Sequence, residues 1–269
     1  MTAISTTYRN RRRAAQAGLV ARGVLYAMIG VLALQIAFGG GGGQQADQQG
    51  ALRAIAQGPF GAVLVGLVGV GLAGYALWRL TQFFTEKGGP GDDTKDKLKR
   101  VSYIVRAVIY AALSFLAFRI AFGSGGGGGG GSQDATARIM QDVPAGRLLV
   151  GLVGLIVIGV ACYQAYQAFS QDFMDEMQTG QMNRTTRTWV RRIGVIGHAA
   201  RAVVFGLLGV FVIRAAVQFD ANEAVGLDGA LQRLAQQPAG PWLLGLTALG
   251  LFAYGVYSIV RGRYVDVSE

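Results

Sequence analysis

Three arginines at one repeated position are the residues of this chain best able to do chemistry. Arg22, Arg106 and Arg201 each lie about one helical turn inside a long apolar segment. Charged groups within a membrane are costly, and the planar guanidinium suits bidentate contacts with phosphate oxygens. Gathered into a ring, the three would hold an anion or a lipid phosphate. The competing hypothesis is that each side chain extends to the headgroups and only orients its helix.

A second polar set follows thirteen residues later in each copy: Gln35, Arg119 and Arg214. In a helix this offset places the two sets about 20 Å apart and on different faces. Two basic collars would bracket an anion path, whereas extension to the opposite headgroup layer also explains the second set. Between the two sets, eight residues beyond each inner arginine, small residues predict close helix contacts. They are Gly30, Ser114 and Gly209.

Residues suited to catalysis or metal binding are scarce. The long apolar segments contain no Asp or Glu, and the chain has one histidine, His198, and one cysteine, Cys162. Proton-coupled transport, zinc binding and intramembrane hydrolysis need acidic, histidine or nucleophile clusters that are missing here. The string Gly-Val-Gly-Leu-Ala-Gly from Gly69 to Gly74 matches the dinucleotide fingerprint, but it lies inside an apolar segment rather than after a strand. We predict no catalytic residue, no metal and no cofactor.

Six apolar segments position these groups. The chain is 52% hydrophobic and only 15% charged, against about 25% charged in soluble domains. About 20 apolar residues in a helix cross a bilayer. Six segments meet that length and predict an all-α integral membrane protein: Gly18–Phe38, Phe60–Phe84, Tyr103–Phe122, Gly146–Phe169, Gly194–Phe219 and Pro241–Val260.

The basic residues between the spans predict the orientation. Sixteen Lys and Arg residues lie on one side, in the tails and in or beside the loops after the second and fourth spans, and four lie in or beside the other loops. Cytoplasmic loops carry the excess of basic residues, so both termini are predicted to be cytoplasmic. We assign the net charge of +10 to this topology and predict no nucleic-acid binding.

The chain repeats a two-helix unit three times. Ala21–Tyr26, Val105–Tyr110 and Ala200–Phe205 correspond, and each arginine precedes a proline by 37 or 38 residues. We expect a short interfacial helix before each proline and the proline in the first turn of the next span. Three parallel repeats predict a pseudo-threefold bundle. The predicted divisions are a basic cytoplasmic tail (1–17), repeat 1 (18–84), a charged linker (85–101), repeat 2 (102–169), a second linker (170–193), repeat 3 (194–261) and a C-terminal tail (262–269).

The repeated motifs resemble those of a known family. They comprise Ala-Arg-Gly-Val-Leu-Tyr, then Gly-Ala-Leu-x-x-Ile-Ala-x-x-Pro-x-Gly, then the stretch from Gly71 to Arg79. Together these are similar to the bacterial membrane proteins that carry domain of unknown function 1206, which contain three helix pairs and have no assigned activity. The resemblance implies a multi-pass protein of the bacterial inner membrane. In repeat 2, Ile156 and Val160 replace residues that the other repeats share, Gly71 and Gly250, and Tyr75 and Tyr254.

Five aromatic residues lie toward the cytoplasmic ends of their spans and predict an interfacial belt: Tyr75, Trp78, Tyr163, Tyr254 and Tyr257.

Two hypotheses for the function remain. One hypothesis is a non-enzymatic accessory or scaffold protein that binds lipids, including anionic headgroups, or a membrane or cytoplasmic protein partner. The other is an anion channel or transporter with the inner arginines at its cytoplasmic mouth.

Overall fold

The computed structural model describes residues 2–39, 45–85, 94–123, 136–137, 139–141, 145–175 and 177–265. Eight α-helices are complete within these ranges. They are α1 (Thr2–Ala37), α2 (Gln48–Ala56), α3 (Gly61–Thr85), α4 (Thr94–Ala121), α5 (Gly146–Ser170), α6 (Arg184–Gln218), α7 (Leu227–Ala235) and α8 (Gly240–Tyr264). Short 3-10 turns lie at Asp172–Met174, Thr179–Gln181 and Ala221–Glu223.

The prediction of six membrane-spanning helices is confirmed. Within the described part of the chain, six helices are long and apolar enough to cross a bilayer, namely α1, α3, α4, α5, α6 and α8. Three begin well before the predicted spans: α1 starts at Thr2, α4 at Thr94 instead of Tyr103, and α6 at Arg184 instead of Gly194. Asn183 allows the early start of α6, because its side chain accepts a hydrogen bond from the Thr186 N–H. Part of the predicted linker 170–193 is therefore helical.

The long helices pack antiparallel in the order α5, α6, α8, α1, α3, α4. Each repeat's first helix contacts the second helix of the preceding repeat, with α1 against α8, α4 against α3 and α6 against α5. Within repeats 1 and 3 the two long helices also pack together. Among the described residues, α4 and α5 of repeat 2 do not pack together in this way.

Small residues set the contacts between repeats, as predicted for Gly30, Ser114 and Gly209. A Cβ on Gly30 would lie 2.8 Å from the Ala248 carbonyl oxygen of α8. Ser114 donates a hydrogen bond of 2.8 Å to the Gly69 carbonyl, and Gly209 of α6 packs against Ile158 of α5. Small side chains let helix backbones approach closely where lipid supplies no hydrophobic driving force.

The separation of α4 from α5 has a cause in the sequence. In repeat 1, Gly71 packs on Ala21, and in repeat 3, Gly250 packs on Ala200. The residues at these positions in repeat 2 are Ile156 and Val105, which are 58% and 49% exposed. Branched side chains replace both members of a glycine–alanine contact, so the two helices cannot approach as closely.

The short helices α2 and α7 cover one end of the bundle. The prediction of short helices before the prolines is borne out for both, but they also bury one face in the main apolar core, where Leu52 and Leu231 are fully buried. Asp228 of α7 accepts a hydrogen bond of 2.7 Å from the Ala46 N–H, which links repeat 3 to repeat 1. Partial burial raises the pKa of Asp228, Asp47 adds to the rise, and the bond from Ala46 opposes it.

The turn into each second long helix differs from the prediction, which had the proline in the first helical turn. The helices start two residues after Pro59 and Pro238, at Gly61 and Gly240. The intervening residues adopt a left-handed conformation, as does Ala145 in repeat 2. A Cβ on Gly240 would overlap the Ala235 carbonyl oxygen, so glycine is required for this close approach.

The opposite end of the bundle, where α1 begins and α8 ends, is also covered. The side chain of Phe173 packs against Gly194 and stacks on the His198 ring at 5.0 Å. The Gln178 N–H donates to the Tyr264 carbonyl at 2.9 Å, and Met177 forms a β-bridge with Val265. This segment of the predicted linker 170–193 is therefore a packed part of the fold.

Candidate anion site

Arg22 is the centre of a cluster of arginine and tyrosine side chains. It is 9% exposed and donates hydrogen bonds to the hydroxyls of Tyr254 and, at 3.5 Å, Tyr75. Its guanidinium carbon also lies 5.7 Å from the centre of the Tyr26 ring and 5.1 Å from that of Tyr254. Its Nε atom is buried without a hydrogen-bond partner. Arg22 therefore points into the bundle and not toward lipid.

Arg201 meets Arg22 at the same tyrosine. Its Nη1 atom donates to the Tyr254 hydroxyl at 2.6 Å, and its guanidinium lies 4.4 Å from the centre of that ring. Because two guanidinium groups contact one oxygen, their nearest nitrogens are no more than about 6 Å apart. At that separation and an effective dielectric constant of about 20, the two charges repel by about 3 kcal/mol.

Arg79 adds a fourth cation that the site prediction did not include. It is buried, and its Nε and Nη2 atoms donate to the Tyr75 hydroxyl at 3.1 and 2.8 Å. Trp78 and Tyr103 lie beside its guanidinium, with ring centres 4.4 and 5.6 Å away. The Tyr75 hydroxyl thus accepts hydrogen bonds from Arg79 and Arg22.

Arg106 completes the set, which we call the arginine cluster (Arg22, Arg79, Arg106 and Arg201). It interacts electrostatically with Tyr75, Arg79 and Arg22. Unlike Arg22 and Arg79, Arg106 is exposed, and it lies on α4, which does not pack against α5 in the described part of the chain. The structure therefore places all three predicted inner arginines around one site, each with different access.

The arginine cluster gathers four positive charges in spans that carry no acidic residue. The six predicted spans contain no Asp or Glu, and the described partners of these guanidinium groups are neutral: tyrosine hydroxyls, aromatic rings and, for Arg79, the amide oxygen of Gln82 at 2.7 Å. A cation over an aromatic face gains about 0.5–2 kcal/mol, while burying a charge costs several kcal/mol. Aromatic contacts offset only part of that cost, so the arrangement favours a bound anion.

The predicted second set does not join this site. Gln35, Arg119 and Arg214 are all exposed, and Arg214 lies 3.7 Å from the carboxylate of Glu223. Among the described residues, no group of three His, Cys, Asp or Glu side chains could hold a metal ion. The polar residues of the second set therefore lie on the outer surface of the bundle.

Sequence reasoning missed Tyr75 and Tyr254, which were assigned to an aromatic belt facing the interface. Both are buried, as are Trp78 and Tyr257, whereas Tyr163 is exposed. The belt prediction is wrong for these four residues, because their helices turn them into the bundle. Two signals were available: the two tyrosines share one repeat position, and Arg79 follows Tyr75 by one helical turn.

A related contact occurs at each junction between repeats. It involves the residue four positions after Tyr75, Val160 or Tyr254, which is Arg79, Gln164 or Ser258. Arg79 of α3 lies over Tyr103 of α4. Gln164 of α5 contacts His198 of α6, with 3.3 Å between Oε1 and Nδ1. The Ser258 hydroxyl of α8 donates to the Leu19 carbonyl of α1 at 3.0 Å. Corresponding positions of the repeats thus meet at all three junctions, although the chemistry differs.

These features define a multi-pass α-helical membrane protein built from three repeats around an arginine cluster. The chain belongs to the family described as Domain of Unknown Function (DUF1206), whose model matches three times, at residues 17–85, 101–171 and 196–265. It is 34% identical over 253 residues to the uncharacterized protein YxxB of Bacillus subtilis (strain 168), covering 94% of this chain and 90% of that protein. No solved structure matches the chain.

Proposed function

We propose that this protein is a non-enzymatic lipid-binding membrane protein that holds the anionic headgroup of a phospholipid at the arginine cluster. The observation that carries the proposal is the gathering of four arginines around Tyr75 and Tyr254, in spans that lack acidic residues. A phosphate supplies several acceptor oxygens and the missing negative charge. Guanidinium groups bind such oxygens with charge-assisted hydrogen bonds.

The proposed topology places this site beside an anionic lipid surface. The excess of Lys and Arg supports a cytoplasmic location for both termini, in a bacterial plasma membrane. The arginine cluster then lies in the inner half of the bilayer, where anionic headgroups attract basic residues. The related contacts at the three junctions support a pseudo-threefold arrangement of the repeats, interrupted between α4 and α5.

The packing favours a binding site over an anion conduit. Leu25, Ile29, Leu72 and Leu251 are buried in the core that lies between the arginine cluster and the short helices. At the far end, α2 and α7 extend that core. A conduit needs a polar or water-filled path through this region, whereas a headgroup site needs access from one side only. An accessory role toward a protein partner is compatible with this site, with bound lipid as the anchor.

The test uses the full chain, purified and stripped of lipid, and measures melting temperature in detergent with added lipid. Phosphatidylglycerol or phosphatidic acid should raise the melting temperature and remain bound in native mass spectra, and phosphatidylcholine should do neither. Inorganic phosphate forms a separate arm: stabilisation by phosphate alone would replace the lipid with a soluble anion as ligand. The variant Arg22→Ala/Arg106→Ala/Arg201→Ala should lose the response.

Two controls make this test decisive. The variant Arg119→Ala/Arg214→Ala removes exposed arginines of the same spans and should keep the lipid response of the wild type. Equal stabilisation of the wild type and the triple variant would contradict the proposal. Anion flux into liposomes that requires the three inner arginines would replace lipid binding with conduction.

A further inference from the structure

The opening between α4 and α5 exposes residues that the other repeats bury. Ile109 is 50% exposed, while Leu25 and Val204 at the same repeat position are 2% and 3% exposed. Val153 is 52% exposed, against 9% for Val68 and 8% for Thr247. The exposed faces of α4 and α5 are thus those that point into the bundle in repeats 1 and 3. We call this opening the repeat-2 gap.

The sequence of repeat 2 maintains this opening. Ile156 and Val105 replace a close glycine–alanine contact, and Val160 replaces the tyrosine whose counterparts Tyr75 and Tyr254 pack on Gly18 and Gly197. A valine offers no hydroxyl to a neighbouring arginine. Arg106 also lies on the side of the arginine cluster that the repeat-2 gap leaves accessible.

We infer that an anionic phospholipid enters the arginine cluster sideways through the repeat-2 gap, with its phosphate on Arg106 and its acyl chains along α4 and α5. The inference rests on the proposed function and adds the route and the position of the ligand. Three observations support it. Arg106 supplies a charge that complements the phosphate, the walls of the gap are apolar, and both ends of the bundle are covered, by α2 and α7 and by the Phe173 segment.

The arrangement accounts for both parts of a lipid. Ile109, Val153 and Ile156 offer apolar surface of the kind that acyl chains contact, and Arg106 stands at the inner edge of that surface. Arg22 and Arg79 are buried within electrostatic range of Arg106 and add positive charge that attracts the phosphate. A free phosphate ion gains no favourable contact from the apolar walls, so the gap favours a lipid as the source of the anion.

The first experiment maps the lipid on the wild-type protein and needs no variant to fold. Phosphatidylglycerol with a photoactivatable diazirine in its acyl chain is incorporated into vesicles that contain the protein, irradiated, and located by mass spectrometry. We expect adducts on Ile109, Val153 or Ile156, at least fivefold above those on Val70 and Leu249, which face outward in repeats 1 and 3. Equal labelling of both groups would overturn the inference.

The second experiment closes the gap by copying the other repeats. The variant Ser102→Gly/Val105→Ala/Ile156→Gly/Val160→Tyr restores the residue types that repeats 1 and 3 have at these contacts, and it should slow exchange of bound for deuterated phosphatidylglycerol by at least tenfold. The matched control is Leu155→Gly, at an outward-facing position of α5. Exchange as fast as in the wild type would overturn the inference.

The two failures can be told apart. If the triple arginine variant loses lipid but closing the gap changes nothing, the arginine cluster binds lipid that arrives by another route. If neither change affects lipid binding, the proposed function fails as well. A stable dimer whose second copy covers α4 and α5, seen by light scattering, would also overturn lateral entry.

Discussion

Replacement of Arg22 by methionine separates a binding role of the arginine cluster from a structural one. Methionine keeps a long apolar stem at this buried position but removes the charge and all donors. Without ligand, the change removes about 3 kcal/mol of repulsion toward Arg201 and the cost of burying the charge. It also removes hydrogen bonds to Tyr75 and Tyr254, each worth about 1.5–3 kcal/mol because the donor is charged.

These opposing contributions predict a reversal of sign. The stabilisation lost with the two hydrogen bonds is similar in size to the repulsion and burial cost that disappear with the charge. Lipid-free Arg22→Met should therefore melt at or above the temperature of the lipid-free wild type. With phosphatidylglycerol present, the wild type gains hydrogen bonds from Arg22 to the phosphate that the variant cannot make. Loss of one charge-assisted bond of about 1.5–3 kcal/mol weakens binding about 10- to 150-fold. The wild type should then be the more stable protein.

The assay is a lipid titration followed by melting temperature, with Arg119→Met as the matched control. Arg119 is an exposed arginine in α4, so its replacement should leave both curves at their wild-type positions. If Arg22→Met lowers the lipid-free melting temperature and leaves the lipid-dependent rise unchanged, Arg22 only links the two tyrosines. The anion-binding argument would then be refuted.

The remaining predictions concern the covers at the two ends of the bundle. Gly240→Ala should lower the melting temperature sharply, because a Cβ there overlaps the Ala235 carbonyl, whereas Gly206→Ala, with open space around it, should be neutral or slightly stabilising. Phe173→Ala should destabilise the fold by about 3–5 kcal/mol in equilibrium unfolding, because the side chain is buried against His198 and Tyr257, while exposed Phe169→Ala should have little effect. Equal effects within either pair would contradict the packing described here.

The sequence predicted the elements well because membrane helices follow a strong physical rule. Unpaired backbone groups are costly in lipid, so long apolar segments must be helical, and all six were found. The small residues at Gly30 and Gly209 also predicted contacts correctly, since close approach needs small side chains. The end of the bundle near Phe173 was not predicted, because its packing depends on residues distant in sequence.

The site was predicted in part, for a related reason. Repetition identified Arg22, Arg106 and Arg201, and the structure brings them together. Their partners were assigned to the interface, because an aromatic residue near the end of a span has the same local signature in an interfacial belt and in a buried cluster. The distinguishing information lies on neighbouring helices: Tyr75 packs on Gly18, whereas the corresponding positions of repeat 2 hold Val160 and Ser102.

The asymmetry of the repeats bears directly on function. A ring of three identical repeats would bury all three inner arginines alike, with a tyrosine beside each. Here Arg22 has two tyrosines within hydrogen-bond range, while Arg106 lies where Val160 has replaced the third tyrosine and where α4 and α5 stand apart. Loss of that one tyrosine removes a hydroxyl acceptor and opens the bundle beside Arg106, so the charge of Arg106 has fewer compensating contacts. A bound phospholipid compensates for both changes, because its phosphate occupies the position of the missing acceptor and its acyl chains fill the space between the helices.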